Sequence, residues 1–212
     1  MAYVNRRHFT SAWILGIQWV IANTTSWIAA FFPMSLISYI PSPFGVFALS
    51  LFWNKSLPGI MAGVCFATTT WLVLRQRILN PGRWVISTIL GFMFGMFIGD
   101  GVSSLVPYYF VVQSWRNSPW DFALTGVLLG LLIGAFQWLV LKQQSTQAHW
   151  WIPANIAAWT SISLVSFWNS MTGLVVNGII IGIITRVPLI WVLRNSKSGT
   201  AGKASEEHAS PV

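Results

Sequence analysis

Part of this sequence returns, without a gap, 67 residues further along the chain. Each copy has two glycines in Gly-x-x-x-Gly spacing, then an aromatic and aliphatic stretch ending in a basic residue, a short turn and another tryptophan. The matched positions are Gly59 and Gly126, Gly63 and Gly130, Trp71 and Trp138, Arg75 and Lys142, and Trp84 and Trp151. This repeat predicts one helical hairpin that is used more than once, with the copies packed against each other.

The composition places these hairpins in a membrane. The chain of 212 residues is 55% hydrophobic and 8% charged, values that do not describe a water-soluble domain. A transmembrane helix needs about 20 mostly apolar residues. Six candidate stretches lie near residues 13–32, 57–74, 84–106, 122–141, 150–168 and 174–193. The sequence therefore predicts an all-α fold, a polytopic membrane helical bundle of about six transmembrane helices built from repeated hairpins.

The basic residues are distributed unevenly between the predicted loops. The formal net charge is +8, and nine lysines and arginines share one side, whereas the opposite loops hold only Lys55 and Arg116. The positive-inside rule then predicts that both termini are cytoplasmic, and we expect the cell inner (plasma) membrane as the location. We interpret the charge as a topology signal and expect no nucleic acid partner. Residues 1–12 are expected to form a cytoplasmic segment, residues 13–193 the bundle and residues 194–212 a disordered cytoplasmic tail.

Two helix types alternate along the chain. In the first and fifth stretches an Ala-Asn pair precedes a tryptophan by four residues, counted from the asparagine. The shared positions are Asn23 and Trp27 in the first stretch and Asn155 and Trp159 in the fifth. The second, fourth and sixth stretches instead carry spaced glycines. Three related units around a pseudo-threefold axis, or two units and a divergent pair, both fit this order.

The glycines of the sixth stretch align with those of the fourth. Gly178 and Gly182 match Gly126 and Gly130 at an offset of 52 residues. In lipid there is no hydrophobic force between helices, so small residues that let backbones approach closely supply the packing. We expect these glycine faces to pack helices within the chain, with a dimer face as the alternative.

The fourth and fifth stretches carry a longer pattern. Its residues are Gln137, Trp138, Leu141 and Lys142, followed by Trp151, Ala154, Asn155 and Trp159. The pattern resembles the repeated hairpin of uncharacterised bacterial multi-pass membrane proteins, frequent in cyanobacteria, in which a Gln-Trp-x-x-Leu-Arg helix precedes an Ala-Asn-x-x-Gly-Trp helix. Thr70 and Thr88 stand where the pattern has Gln and Asn. The resemblance implies architecture without an active site, and a cyanobacterial source would make the thylakoid membrane an alternative location.

Polar side chains inside transmembrane helices are costly, so they indicate function or hydrogen bonds between helices. Gln137 lies eight residues before the turn at Ser145 and Asn155 lies ten after it, a similar depth that allows the two amides to hydrogen-bond each other. Gln18 and Asn23 are the polar amides of the first helix. Two interpretations stay open for these four residues: hydrogen bonds that hold helices together, or a polar ring around a ligand site near the cytoplasmic face.

Arg186 is a charge inside the sixth stretch. It lies eight residues before Arg194, or about 12 Å at 1.5 Å per residue. A long side chain at this depth is expected to extend toward the cytoplasmic interface. The alternative is that Arg186 binds an anionic lipid headgroup or ligand. Asp100, near the outer end of the third stretch, is too distant to pair with it.

Tryptophans cluster at the predicted cytoplasmic boundary, where an indole ring is favoured. Their positions are Trp71, Trp84, Trp138, Trp150, Trp151 and Trp191. We interpret them as an aromatic belt, which requires no bound pigment or quinone. The prediction is accordingly that the protein has no cofactor.

The sequence has no pattern typical of a membrane enzyme. His8, His149 and His208 share no metal-ligand spacing, and there is no nucleophile elbow, phosphate loop or acid pair. We predict a non-catalytic integral membrane protein, either an accessory or scaffold subunit of a membrane complex or a lipid-organising bundle. Its partners would be the lipid bilayer and a membrane protein or a second copy of the chain. The alternative is a small permease or channel with a polar site between the repeats.

Overall fold

The computed structural model describes residues 2–38, 56–109, 119–165 and 171–195. These ranges contain α-helices and one short 3₁₀ helix, and no strand. The α-helices are α1 (Ala2–Ser38), α2 (Leu57–Leu74), α3 (Pro81–Tyr109), α4 (Pro119–Leu141), α5 (Trp151–Val165) and α6 (Met171–Arg194). The prediction of an all-α helical bundle is confirmed. The predicted tail beyond residue 195 lies outside the described residues.

Local sequence signals mark several helix starts. Pro58 lies in the first turn of α2, and α3 and α4 begin at Pro81 and Pro119. Proline suits this position because the first turn has no partner for its N–H. Before α5, the Ser145 hydroxyl accepts a hydrogen bond from the backbone N–H of Gln147 at 3.2 Å and caps the 3₁₀ helix. The α2–α3 and α4–α5 connections are therefore short, ordered turns.

The chain is a membrane protein: five of its helices are long and apolar enough, by length and composition, to cross a bilayer. Helices suit this solvent because each backbone polar group is paired within its own segment. Helix α5 is not one of the five, since only 15 of its residues are described, which span about 22 Å at 1.5 Å per residue. The last residues of the fifth predicted stretch, 150–168, lie outside the described part of the chain.

The helices form a closed ring in chain order. Each helix packs against the next one, and α6 packs against α1. At this closure Gly178 contacts Thr24 and Gly182 contacts Val20. Moving along α6 toward its end, the contacted residue in α1 therefore moves back toward the start of α1. These two helices are therefore antiparallel. Glycine contacts and hydrogen bonds show the same order for α1–α2, α2–α3, α3–α4 and α4–α5, and Trp150, just before α5, lies beside Trp191 near the end of α6.

This alternation gives the bundle two chemically different ends. Helices α1, α3 and α5 begin at the end where α2, α4 and α6 finish. We name this end the basic end, because several basic residues of the helix termini and short turns lie there. They are Arg75, Arg77, Arg83, Lys142 and Arg194.

Glycines bring the backbones of neighbouring helices together. A Cβ atom added to Gly63 would lie 2.8 Å from the Cα of Ile89 in α3, and one added to Gly130 would lie 2.7 Å from the Cα of Ile156 in α5. Real Cβ atoms do not approach other atoms so closely, so the helices must separate if either glycine gains a side chain. Hydrogen alone fits at both positions.

The contact of Gly178 corrects the alignment of α6. Gly178 contacts the Cα of Thr24, and Thr24 follows Asn23 as Ile156 follows Asn155. Gly178 thus takes the position of Gly130, at an offset of 48 residues. The predicted offset of 52 is wrong by about one helical turn. The glycines of α4 recur every four residues, at Gly126, Gly130 and Gly134. The two glycines of α6 can therefore be aligned with the first two of them or, one turn further along, with the last two.

Candidate functional site

Three tryptophans from alternate helices meet in the middle of the ring. Trp19 of α1, Trp84 of α3 and Trp151 of α5 have ring centroids 6.3, 5.9 and 5.9 Å apart, with interplanar angles of 66°, 66° and 64°. Aromatic pairs favour this edge-to-face geometry. Their exposed fractions are only 2%, 0% and 1%. We name these three side chains the tryptophan cluster.

Two members of the tryptophan cluster, Trp84 and Trp151, were predicted to belong to the aromatic belt. Trp84 and Trp151 were expected at the lipid interface, and the structure places both inside the bundle. Trp150 and Trp191 are exposed and lie beside each other, with ring centroids 6.2 Å apart. The belt prediction is therefore wrong for the two buried tryptophans, because each lies on the inward face of its helix.

Each indole of the tryptophan cluster donates a hydrogen bond to a side chain of an adjacent helix. The Nε1 of Trp84 donates to Thr70 Oγ1 at 3.0 Å, that of Trp151 to Gln137 Oε1 at 2.9 Å, and that of Trp19 to Thr185 Oγ1 at 2.8 Å. The bonds connect α3 with α2, α5 with α4, and α1 with α6. Every second interface of the ring therefore contains the same kind of hydrogen bond.

Next to the tryptophan cluster lies a layer of buried polar side chains, to which every helix contributes one residue. We name it the polar layer; its members are Asn23, Thr70, Thr88, Gln137, Asn155 and Thr185. They line a central cavity of about 20 Å³, which is room for about one water molecule. Amides and hydroxyls can donate and accept hydrogen bonds at neutral charge, so the polar layer suits a small polar guest.

Most members of the polar layer also bond to their own helix backbone. The side-chain amides of Asn23 and Asn155 donate to the carbonyl oxygens of Trp19 and Trp151 at 2.8 and 2.9 Å. The hydroxyl of Thr185 donates to the carbonyl of Ile181 at 2.6 Å. These bonds satisfy polar atoms without a ligand, but each lies within one helix, so they are not the hydrogen bonds between helices of the first interpretation.

The expected hydrogen bond between Gln137 and Asn155 is not made in the described part of the chain. The Nε2 of Gln137 instead donates to Thr88 Oγ1 at 3.1 Å, and its Oε1 accepts from the indole of Trp151. Asn155 bonds to the backbone of that same tryptophan. The two amides are thus connected through Trp151 and share the cavity wall.

A second aromatic group covers the cavity on the side away from the basic end. Phe66 lies one turn before Thr70, and Phe92 and Trp159 lie one turn after Thr88 and Asn155. The rings of Phe66 and Phe92 are 4.8 Å apart, and those of Phe92 and Trp159 are 5.3 Å apart. The polar layer is therefore enclosed between two sets of aromatic rings.

Two of the predicted site residues lie outside this interior. Gln18 is exposed and accepts a hydrogen bond from Arg77 at 3.4 Å, in a groove between α1 and α2. It is five residues from Asn23, or about 140° away around the helix, so the two cannot face the same axis. Arg186 lies in a different groove, between α1 and α6. The predicted ring of four amides is wrong in including Gln18.

Sequence analysis missed two members of the interior, Trp19 and Thr185. A signal for the first was present, since Trp19 precedes Asn23 by four residues just as Trp151 precedes Asn155. Thr185 was hidden by the wrong offset of α6. At the offset of 48 it aligns with Gln137, which bonds the equivalent tryptophan.

The positions of the titratable and metal-binding side chains among the described residues bear on catalysis and metal binding. No group of three histidine, cysteine, aspartate or glutamate residues lies close enough to hold a metal ion within these ranges. The polar layer itself contains only amides and hydroxyls, none of which titrates near neutral pH. Comparisons of the sequence and fold with protein-family models, curated proteins and solved structures find no match.

Proposed function

We propose that this chain is a non-catalytic integral membrane protein that serves as an accessory or scaffold subunit of a membrane complex, or as a lipid-organising bundle. The observation that carries the proposal is the filled axis of the ring. The tryptophan cluster is fully buried, and the cavity beside it measures only about 20 Å³. Such an interior favours a rigid body over a path for solutes.

The chemistry of the interior supports the same role. General acid–base catalysis needs a titratable group within hydrogen-bond reach of its substrate, and the polar layer has none. Its hydrogen bonds connect α1 with α6, α2 with α3 and α4 with α5. These bonds would hold the helices in one arrangement while the outer faces contact lipid or a partner.

The repeated hairpin supports three equivalent units around a pseudo-threefold axis. The pairs Thr70 with Trp84, Gln137 with Trp151 and Thr185 with Trp19 occupy corresponding positions at offsets of 67 and 48 residues along the acceptor helices. In this arrangement the third unit combines α6 with α1, the last and first helices. It accounts for the closure of the ring better than two units with a divergent pair.

The scaffold role is tested by purification and by flux. The tagged chain is isolated from its native host in mild detergent, and the bound proteins are quantified by mass spectrometry. We expect one membrane protein in fixed stoichiometry. In parallel, proteoliposomes of the purified chain are expected to pass water, protons and small solutes no faster than protein-free vesicles. Flux that rises with the amount of protein would overturn the scaffold role.

A small permease or channel is the second candidate, favoured by the polar layer. One polar residue from every helix at the same depth is an arrangement that a transport site near the midplane also needs. The variant Gln137→Leu with Asn155→Leu discriminates between the two functions. If the double variant assembles normally but abolishes a flux that the wild type shows, the permease is supported. A defect in folding or assembly without any wild-type flux supports the scaffold.

A further inference from the structure

A groove on the outside of the bundle, between α1 and α6 at the basic end, combines positive charge with apolar walls. Its volume is about 450 Å³. The residues along it include Trp13, Arg186, Val187, Ile190, Trp191 and Arg194. The exposed fractions of Trp13, Val187 and Trp191 are 51%, 66% and 41%. The groove therefore opens to the surroundings of the helix ring and not to its axis.

The side chain of Arg186 extends toward the basic end. A Cβ atom on Gly16 would lie 2.5 Å from the Cδ of Arg186, so the stem of the arginine crosses α1 at this glycine. Its guanidinium carbon lies 5.1 Å from the centre of the Trp13 ring. Trp13 precedes Gly16 in α1, which begins at the basic end. The guanidinium is thus directed toward Arg194, as expected for an arginine that snorkels.

Arg186 has no anionic partner among the described side chains. A guanidinium has five N–H donors and no acceptor, and its only described interaction is with the face of the Trp13 ring. The chain has four acidic residues, and two of them, Glu206 and Glu207, lie outside the described part. Asp100 is 16 residues along α3 from Trp84, or about 24 Å from the tryptophan cluster at 1.5 Å per residue.

The fourth acid is no closer to Arg186. Asp121 is 16 residues along α4 from Gln137, which again places it about 24 Å from the polar layer at 1.5 Å per residue. Arg186 follows Thr185 of that layer and extends the opposite way. Its guanidinium donors therefore lie in a groove on the outer face of the bundle, where an anionic lipid headgroup can supply the missing acceptor.

We propose that this groove binds one anionic phospholipid. The phosphate accepts hydrogen bonds from the guanidinium groups of Arg186 and Arg194, and the planar fork of arginine matches phosphate oxygens in pairs. An acyl chain lies along Val187, Ile190 and the rings of Trp13 and Trp191. Charge complementarity selects the headgroup, and the apolar walls distinguish a lipid from free phosphate. The inference does not depend on the scaffold role.

The test is native mass spectrometry of the full chain with phosphatidylglycerol, and with phosphatidylcholine as the neutral lipid. We expect one phosphatidylglycerol to be retained in preference to phosphatidylcholine, and excess inorganic phosphate not to displace it. Arg186→Gln should weaken retention about tenfold, the size expected for losing hydrogen bonds to a charged group. Arg75→Gln is the matched control, because Arg75 lies over the Trp71 ring at 5.6 Å and outside this groove.

A second variant keeps the test valid if Arg186→Gln fails to fold. Val187→Trp fills the groove from an exposed position and should reduce retention while both arginines remain. Glu206→Gln with Glu207→Gln should leave retention unchanged, and a rise in retention would identify these carboxylates as the partner of Arg186 and overturn the proposal. Equal retention by wild type, Arg186→Gln and Val187→Trp would overturn the proposal, as would equal retention of the two lipids.

Discussion

A buried indole in a membrane protein needs an acceptor from the protein, because the hydrocarbon offers none. In Trp19, Trp84 and Trp151 this need is met by one threonine or glutamine side chain each. Trp27 differs, since its indole nitrogen is buried without a hydrogen-bond partner in the described part of the chain. Trp27 lies beside Phe66 and Trp159 of the second aromatic group. A side-chain acceptor therefore distinguishes the three indoles of the tryptophan cluster from that of Trp27.

Replacing Trp151 with phenylalanine tests the value of such a bond. Trp151→Phe keeps an aromatic ring in the tryptophan cluster but removes the donor to Gln137, leaving a buried acceptor with one partner fewer. We expect a loss of about 1–3 kcal/mol in the free energy of unfolding, measured by denaturant titration in detergent micelles.

The control for this prediction is Trp138→Phe on α4. Trp138 is half-buried, and Lys142 lies over its ring at 4.7 Å. No hydrogen bond of its indole holds two helices together in the described structure, so its replacement should cost clearly less. Equal losses for the two variants would show that ring volume, and not the hydrogen bond, determines the stability.

Glycine contacts determine how closely neighbouring helices approach. At Gly130 an added Cβ would lie 2.6 Å from the carbonyl oxygen of Asn155, a backbone atom that cannot move without its helix. Gly126 and Gly134 meet α5 in the same way, at Thr160 and Ile152. Three glycines, spaced four residues apart, thus determine how closely α4 and α5 pack. A side chain added at any one of them would push the two helices apart.

Gly130→Ala is expected to destabilise the bundle although alanine is the better helix former. Overpacking of a close interface costs about 1–3 kcal/mol, which exceeds the helix-propensity gain of about 1 kcal/mol. The measurement is the midpoint of thermal unfolding in detergent. Gly82→Ala in α3 is the matched control, because nothing lies within 4 Å of a Cβ at that position. A stability for Gly130→Ala equal to that of Gly82→Ala would contradict the close contact.

The described helices form a ring with a basic end, and we predict its orientation in the membrane from the distribution of charge. Arg77, Arg83 and Lys142 lie in or beside the two short turns, and Arg194 ends α6. Positive charge is retained on the cytoplasmic side, so we expect the basic end to face the cytoplasm. The single cysteine, Cys65, lies within α2, and its replacement permits site-specific labelling elsewhere.

Cysteine labelling checks this orientation. In a Cys65→Ser background, Gln143→Cys in the α4–α5 turn should react with a membrane-impermeant maleimide only after the membrane is opened. Thr172→Cys, at the opposite end of the bundle and exposed, should react in intact cells. The reverse pattern of labelling would place the basic end outside and contradict the charge argument.

The sequence by itself determined that the chain lies in a membrane, that it is helical and that two types of helix alternate along it. Long apolar stretches leave helices as the only way to pair the backbone in lipid, and the Gly63 and Gly130 contacts follow the 67-residue repeat. Asn23 and Asn155 were identified as interior residues from sequence because an amide inside an apolar helix stands out from its neighbours.

Only the tertiary structure decided which side of each helix faces the axis. In all six helices the apolar residues are spread around the helix and not confined to one side, so a hydrophobic pattern cannot separate the lipid-facing side from the inward one. This is why Trp84 was assigned to the interface, Gln18 to the interior and Thr185 to neither. The closure of α6 on α1 brings Thr185 to Trp19 across 166 residues of chain, a pairing that no local spacing encodes.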